Sequence, residues 1–352
     1  MGAMGGGGVA GHTLSDVAAR AGVSKATASR VLNGNSAVDP RTRDRVLAAM
    51  AELDYTPSSL ARRLSFGRTL TISVVTTFLT RPQAAERLRG IDAILSDSEF
   101  DLVIYNIESI DKRDQYLRGL TSAKRTDGLL VISLPLREED VQRLSSAAIP
   151  VVVVDAHAPA VEGLPHVVGD DVGGGEIATR HLLGLGHRRI AFLGDQFDNP
   201  FGFTSSRHRA IGYERAIREA GLELSPELIA LGAHSRYEAR ELASRLLSTQ
   251  DRPTAIFAAS DTQALGVISA AHEAGLRVPD ELSVIGYDDI EMAEYLELTT
   301  VRQHLFESGR LGADLLLREI GRRSADPPSV LLHPELVMRG TTAPPKEGRR
   351  SD

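Results

Sequence analysis

Within six residues the chain places Lys25, Ala26, Thr27, Ser29 and Arg30. A cation at each end, two hydroxyls between them and no carboxylate make a set of donors suited to phosphate oxygens and base edges. Much further along, Asp155 and Asp288 each end a short apolar run. Arg209 stands three residues before Gly212-Tyr213, and Ser260-Asp261 follows Ala255–Ala258. Carboxylates accept and a guanidinium donates in fixed directions, so an Asp/Arg/Ser set suits a polyhydroxylated small molecule. Each carboxylate also has a plainer reading as a cap or turn residue, Asp261 and Asp289 above all. Phe78, Phe201 and Phe203 are the aromatic side chains available to such a pocket.

Other chemistries lack their residues. The 352-residue chain has no cysteine, which removes thiolate metal sites, disulfides and cysteine nucleophiles and suits a reducing, cytoplasmic compartment. Its ten histidines show no HExxH or paired metal-ligand spacing, and no GxSxG is present. Gly173-Gly174-Gly175 precedes a helical stretch, but glycines in direct succession are not a GxGxxG phosphate turn. No catalytic group, metal or cofactor is expected. No apolar run approaches the roughly 18 residues of a membrane span. Residues 1–11 lack the basic start and apolar stretch of a signal peptide. They and the tail, 344–352, read as unstructured.

The elements that must position these residues fall into a small head and a large body. Up to Arg68 the sequence carries nine Lys/Arg against five Asp/Glu, a net of +4, which leaves −11 for the rest. A basic head on an acidic body directs only the head at a polyanion. In the head, Thr13 with Asp16 reads as a capping box, and Gly22 suits the turn that stops the first helix. Ser24 caps a second helix from Lys25 to about Leu32. Asp39-Pro40 opens a third, with Val46, Ala49, Met50 and Leu53 on one face. The first two helices have helix-turn-helix spacing, with Leu14, Val17, Val23, Ala28 and Val31 as shared core. Tyr55-Thr56-Pro57 breaks the third helix, and Ser59–Leu64 is too short to be a stable helix alone.

In the body, apolar runs alternate with amphipathic stretches. Strands are expected at Leu70–Val75, Phe100–Tyr105, Gly128–Ile132, Val151–Val154, His166–Val168, Arg189–Leu193, Thr254–Phe257 and Leu282–Gly286. Such alternation implies parallel sheets with helices on both faces, and the length suggests two lobes.

The runs TLSDVAARAGVSKATASRVLNG and VDPRTRDRVLAAMAELDYTPSSLARRL resemble the DNA-binding headpiece of the lactose/galactose-repressor family. RTDGLLVIS, GHRRIAFLGD, RHRAIGYERAI, PTAIFAASDTQALGV, RVPDELSVIGYDD and LTTVRQ resemble that family's ligand-binding core, so the likeness covers nearly the whole chain. It implies an N-terminal all-α helix-turn-helix headpiece at 12–56 and a hinge at 57–69. It further implies an α/β two-lobed, periplasmic-binding-protein-like core of doubly wound parallel sheets. Its first lobe would comprise 70–169 and 300–328, its second 170–299 and 329–343. By the resemblance Lys25, Ala26 and Arg30 read the major groove. Thr13, Leu14, Ser24, Thr27, Ser29 and Asn33 hold phosphates. Leu64, with Ser58 and Ala61 beside it, enters the minor groove. Asp155, Arg209, Ser260 and Asp288, with Phe78 and Phe203, contact the effector. After the first expected strand the chain reads VVTTFLTRPQAAERLRG where many relatives carry a longer polar segment. That departure leaves a sugar favoured by family habit, with a nucleobase or another small molecule open.

The function so implied is a transcription regulator, expected to be a repressor. It would bind a near-palindromic operator in double-stranded DNA as a homodimer, under control of the effector. Whether effector releases or promotes DNA binding stays open, as does dimer against tetramer. A secreted solute-binding protein would leave the head unexplained, and an enzyme finds no motif.

Overall fold

The computed structural model describes residues 12–32, 37–55, 68–121, 125–156, 161, 163–322, 324 and 326–346. The chain divides into two units, 1–70 and 71–352.

The first unit contains helices α1 (Leu14–Ala21), α2 (Lys25–Leu32) and α3 (Pro40–Glu52). Thr13 and Asp16 close the expected capping box. Gly22 ends α1 at φ 66°, a left-handed turn that a side chain would strain. Val17, Ala18, Ala21, Ala28, Val31, Val46 and Ala49 are buried together, with Leu14 and Val23 packed against them. Asn33, Ser58, Ala61 and Leu64 lie outside the described residues.

The second unit holds two six-stranded sheets. In chain order its elements are β1 (Thr71–Thr77), α4 (Pro82–Leu95), β2 (Asp101–Ile107), α5 (Ile110–Gly119), β3 (Gly128–Ile132), α6 (Glu138–Ser145), β4 (Val151–Val154) and β5 (His166–Gly169). There follow α7 (Asp171–Gly184), β6 (Ile190–Asp195), α8 (Ser205–Glu219), β7 (Ile229–Gly232), α9 (Arg236–Leu247), β8 (Ala255–Ala258), α10 (Asp261–Glu273) and β9 (Ser283–Asp288). The chain ends with α11 (Glu291–Tyr295), β10 (Thr300–Arg302), α12 (Leu305–Gly321), β11 (Ser329–Leu332) and β12 (Glu335–Val337). The first sheet runs β11-β5-β4-β3-β1-β2, all parallel. The second runs β12-β10-β9-β8-β6-β7 and is parallel except at β12.

Strand alternation explains the double winding. Val75, Leu129, Val131, Val151 and Val153 enter one core, while Ile72, Val74, Leu130, Ile132, Val152 and Val154 enter another on the opposite face. Sheet two divides likewise, Leu193, Ile256 and Val284 against Phe192, Phe257 and Ile285.

The crossovers correct the expected lobe boundaries. Residues 300–302 pair with β9 in the second sheet rather than joining the first lobe, and 329–332 pair with β5 in the first rather than joining the second. Strands of three and four residues carry too little periodicity to reveal which sheet they join. Residues 344–346, expected to be unstructured, are described, with the Pro345 ring against Gly186.

Candidate functional site

In the first unit, α2 presents Lys25, Ala26 and Arg30 to solvent, with Thr27 and Ser29 half-buried. The helix carries no acidic residue, and no ion pair engages Lys25 or Arg30 among the described residues. Its start is fixed by Ser24, whose Oγ accepts the Thr27 N–H at 3.1 Å and lies 2.9 Å from the Thr27 hydroxyl. Thr13 donates its N–H and hydroxyl to Asp16 at 2.7 and 2.8 Å. Those bonds hold the Asp16 carboxyl below the usual carboxylate range. A short cationic helix with a capped start and an exposed polar face can lie along a duplex groove without presenting a repelling charge.

In the second unit the site begins where strands end. Phe78, Ser133 and Asp155 directly follow β1, β3 and β4 at φ 47°, 48° and 56°, and Asp288 closes β9 at φ 121°. Non-glycine residues held there cost on the order of 1–3 kcal/mol each, a strain that clusters at binding sites. Ser133, Asp155 and Asp288 line an open cleft between the two sheets. Thr77, Arg81, Gln83, Arg87, Asp195, Phe203, Ser205, Ser206, Arg209, His234 and Gln303 also line it.

Polar side chains join across this cleft. Gln83 of α4 donates to Asp288 at 2.5 Å, linking the first lobe to the second. Gln303, just after β10, also donates to Asp288, and its Oε1 accepts from Arg87 at 3.0 Å. Arg87 pairs with Asp155 at 2.8 Å, where Ser133 donates at 2.7 Å. Arg209, deeply buried, pairs with Asp171 at 2.8 Å, donates to the Ala259 carbonyl at 2.6 Å and lies over the Tyr287 ring at 3.7 Å. Burial works against the Arg209 charge, but Asp171 and Asp288 outweigh it and hold the guanidinium protonated. Burial raises the Asp288 carboxyl, with Arg209 and Gln83 opposing the shift. Burial works to raise the Asp195 carboxyl, but His234, Arg209 and Arg81 together outweigh it and hold the group low.

An aromatic cluster stands beside these groups. Phe78 meets Phe201 edge-on at 5.5 Å, and Phe201 stacks on Phe203 at 5.4 Å. Phe201, in the loop after β6 of the second lobe, packs against a first-lobe core.

The glycine run lies within the first turns of α7 rather than ahead of the helix, and it serves packing rather than phosphate. A Cβ on Gly175 would sit 2.2 Å from the Arg209 carbonyl, and one on Gly212 2.1 Å from that of Val172. The close approach of α7 and α8 is what brings Asp171 against Arg209.

Comparison with known proteins decides what carries these two sites. The lacI family of bacterial regulatory proteins matches residues 13–58, and the periplasmic binding protein-like domain matches 179–342. The HTH-type transcriptional repressor PurR of Vibrio vulnificus is 37% identical over 333 residues, covering 94% of this chain and 98% of that one. The chain belongs to the lacI family. Catabolite control protein A of Priestia megaterium is 32% identical over 332 residues, 94% of this chain and 99% of its own. Among solved structures, the lac repressor dimer bound to operator and the anti-inducer ONPF is 30% identical. It superposes with a TM-score of 0.82 and covers 95% of this chain and 99% of its own. The CelR–cellobiose complex is 31% identical at a TM-score of 0.69, covering 94% and 99%. The chain is thus a lacI-family DNA-binding transcription regulator, with a helix-turn-helix head and a two-lobed α/β core.

Of the residues expected to meet effector in this lacI-family core, Asp155, Arg209, Asp288 and Phe203 line the cleft. Phe78 stands behind Phe203 at 6.3 Å. Ser260 does not reach the cleft lining. It caps α10, accepting the Gln263 N–H at 3.2 Å and donating to the Gln263 Oε1 at 3.0 Å, while Gln263 supports Asp195 at 2.9 Å. Asp261 and Asp289 do not line the cleft either, and instead of capping a helix they tie distant segments together. Asp261 accepts from Ile290 and Thr300, and Asp289 binds Arg302 and Arg339.

Sequence reasoning missed Gln83, Arg87, Asp195, His234 and Gln303. Asp195 had the signal that marked Asp155 and Asp288, an aspartate closing an apolar strand. Arg81, Gln83 and Arg87 all come from the segment after β1 whose residues are unlike the family's expected pattern.

Proposed function

We propose that this regulator is a repressor that binds a near-palindromic operator as a homodimer and is controlled by a small polar effector of sugar size held between the lobes. The observation that carries the reading is the Gln83–Asp288 bridge at 2.5 Å, where one polar group from each lobe meets inside the cleft. A ligand that replaces or reinforces this bridge binds open and closed lobes with different affinity, and only such a difference can shift a conformational equilibrium. A coupling of about 1–3 kcal/mol between cleft and head gives roughly 5–150-fold regulation.

On DNA, Lys25, Ala26 and Arg30 take the major groove, with Thr13, Leu14, Ser24, Thr27, Ser29 and Asn33 as the phosphate set. Leu64, with Ser58 and Ala61, enters the minor groove. Asp155, Arg209, Asp288, Phe78 and Phe203 receive the effector, with Ser260 acting through Gln263 and Asp195. Pairing of two copies has apolar surface to use. Tyr237, Met292, Tyr295, Leu296 and Met338 are exposed on the second lobe, and Val103 and Ile104 on edge strand β2 of the first. The ligand leaves unchanged, because the cleft carboxylates are committed to hydrogen bonds rather than aimed at a reacting atom. The protein acts in the cytoplasm; no described helix is long and apolar enough to cross a membrane.

The experiment is selection of a duplex from a random library with the full chain, followed by anisotropy titration at several salt concentrations, with and without sugars and nucleobases. Two-fold symmetric sites, steep salt dependence and a ligand-dependent Kd are expected. Asymmetric sites bound by single copies end the dimer reading, and a Kd indifferent to every compound ends the effector reading. Leu64→Ala is expected to weaken operator binding; equal affinity removes the wedge.

A further inference from the structure

We propose that the effector is acidic, a sugar acid or sugar phosphate whose anionic group docks against Arg81. This rests on the reading of the cleft as the effector site and adds the class of molecule.

The argument is an inventory of hydrogen-bonding capacity. Each of the three carboxylates lining the cleft already accepts from two side chains, Asp155 through Oδ2 alone. Asp155 accepts from Arg87 and Ser133, Asp195 from His234 and Gln263, and Asp288 from Gln83 and Gln303. What remains is mainly donor. Arg87 is buried, and its Nε has no hydrogen-bond partner among the described residues. Arg81 carries a whole guanidinium that lies 4.1 Å over the Phe78 ring and makes no side-chain hydrogen bond or ion pair among the described residues.

The buried Nε2 of His234 is also unpartnered, while Nδ1 faces Asp195 at 3.1 Å. Gln83 Oε1 is the one buried oxygen lining the cleft that has no partner among the described residues, and Asp155 Oδ1 and the Ser205 hydroxyl are the other open acceptors. Hydroxyls of a neutral sugar must donate as well as accept, and this cleft offers them few acceptors. Carboxylate and phosphate oxygens only accept, which matches what is left over.

The position of Arg81 adds a second reason. Burial pulls the Arg81 guanidinium below its ordinary value, and the nearby Asp195 only partly offsets that. An anion arriving with the ligand would give this half-buried cation the contacting counter-charge it lacks among the described residues. Phe203 lines the same cleft, so an apolar ring face can cover the carbon skeleton while the acidic end is held.

The test uses the full chain and matched probes: glucose, gluconate and glucose 6-phosphate; ribose, ribonate and ribose 5-phosphate; adenine and AMP. Thermal-shift titration is expected to show stabilisation by an acidic member at least about tenfold tighter than by its neutral counterpart. The carboxylate and phosphate arms tell the two acids apart. Arg81→Gln is expected to weaken that ligand about ten- to a hundredfold, the loss of one charge-assisted hydrogen bond, and Arg81→Lys to weaken it less. Circular dichroism of the ligand-free variants separates a lost contact from a lost fold. A neutral member binding as well as its acid, or an acidic ligand indifferent to Arg81→Gln, overturns the proposal and leaves the cleft an effector site. If no probe stabilises the protein the proposal falls, and if in addition no compound changes operator affinity, the effector reading falls with it.

Discussion

Replacing Arg209 by methionine tests whether the second lobe is organised around one buried cation. The substitution keeps much of the side-chain length but removes the ion pair to Asp171, the hydrogen bond to the Ala259 carbonyl and the charge 3.7 Å from Asp288. Asp171 and Asp288 are only 4% and 2% exposed, so water cannot take over. Removing one partner of a buried pair costs roughly 3–5 kcal/mol, because the remaining charge is left uncompensated. Far-UV circular dichroism in urea is the suitable assay, since the chain has no tryptophan. With a slope of about 1–3 kcal/mol/M the midpoint should fall by on the order of 1–5 M.

The pH dependence makes the test sharper. Burial already raises the Asp288 carboxyl in the folded protein, and loss of Arg209 removes the largest influence holding it down. A raised folded pKa contributes stability that is present below the unfolded value and is lost as pH rises through the folded one. The deficit of the variant should therefore be smaller at about pH 5 than at about pH 7.5, by up to ~1.4 kcal/mol for each unit by which its carboxyl rises further. A deficit below about 1 kcal/mol, or one equal at the two pH values, would falsify the account of Arg209 as the organising charge.

Four further outcomes are expected. Gly175→Ala should destabilise the body by about 1–3 kcal/mol, because its methyl would meet the Arg209 carbonyl; an unchanged melting temperature refutes the close-approach argument. Thr13→Ala should cost the head about 1 kcal/mol through loss of its capping box, read as faster amide exchange in α1, and unchanged exchange would show the cap to be idle. Arg30→Ala should weaken operator binding by about 1–3 kcal/mol and relax the preference at one base pair; equal weakening on every duplex would move Arg30 to the phosphate set. Phe201→Ala should loosen the contact of the second-lobe loop with the first-lobe core and change effector affinity while operator reading in its absence persists; unchanged effector affinity refutes that link between the lobes.

Much of the fold is legible in the sequence because its signals are local. Gly22, Ser24 and Asp39-Pro40 mark helix ends by backbone chemistry, and runs such as Val151–Val154 are too apolar to lie anywhere but inside a sheet. The strand-ending aspartates are legible for the same reason. The cleft contacts are not, because they pair residues far apart in the chain. Gln83 and Asp288 are 205 positions apart, and nothing around Gln83 distinguishes it from any polar residue in a first helical turn. Ser260 shows the opposite failure. Its neighbourhood suggests a ligand contact, but whether a hydroxyl at a strand end faces the cleft or caps the following helix depends on tertiary geometry. The swap of β10 and β11 between lobes is invisible to periodicity for want of length.

The chain passes from one lobe to the other three times, after β5, after β10 and after β11. One tether would let the halves swivel freely, and two would still allow a twist about the line joining them. Three narrow the remaining freedom further, and opening and shutting like the covers of a bound book is the motion they hinder least. A molecule lodged between the pages would then act on a path that the three crossings have already narrowed for it.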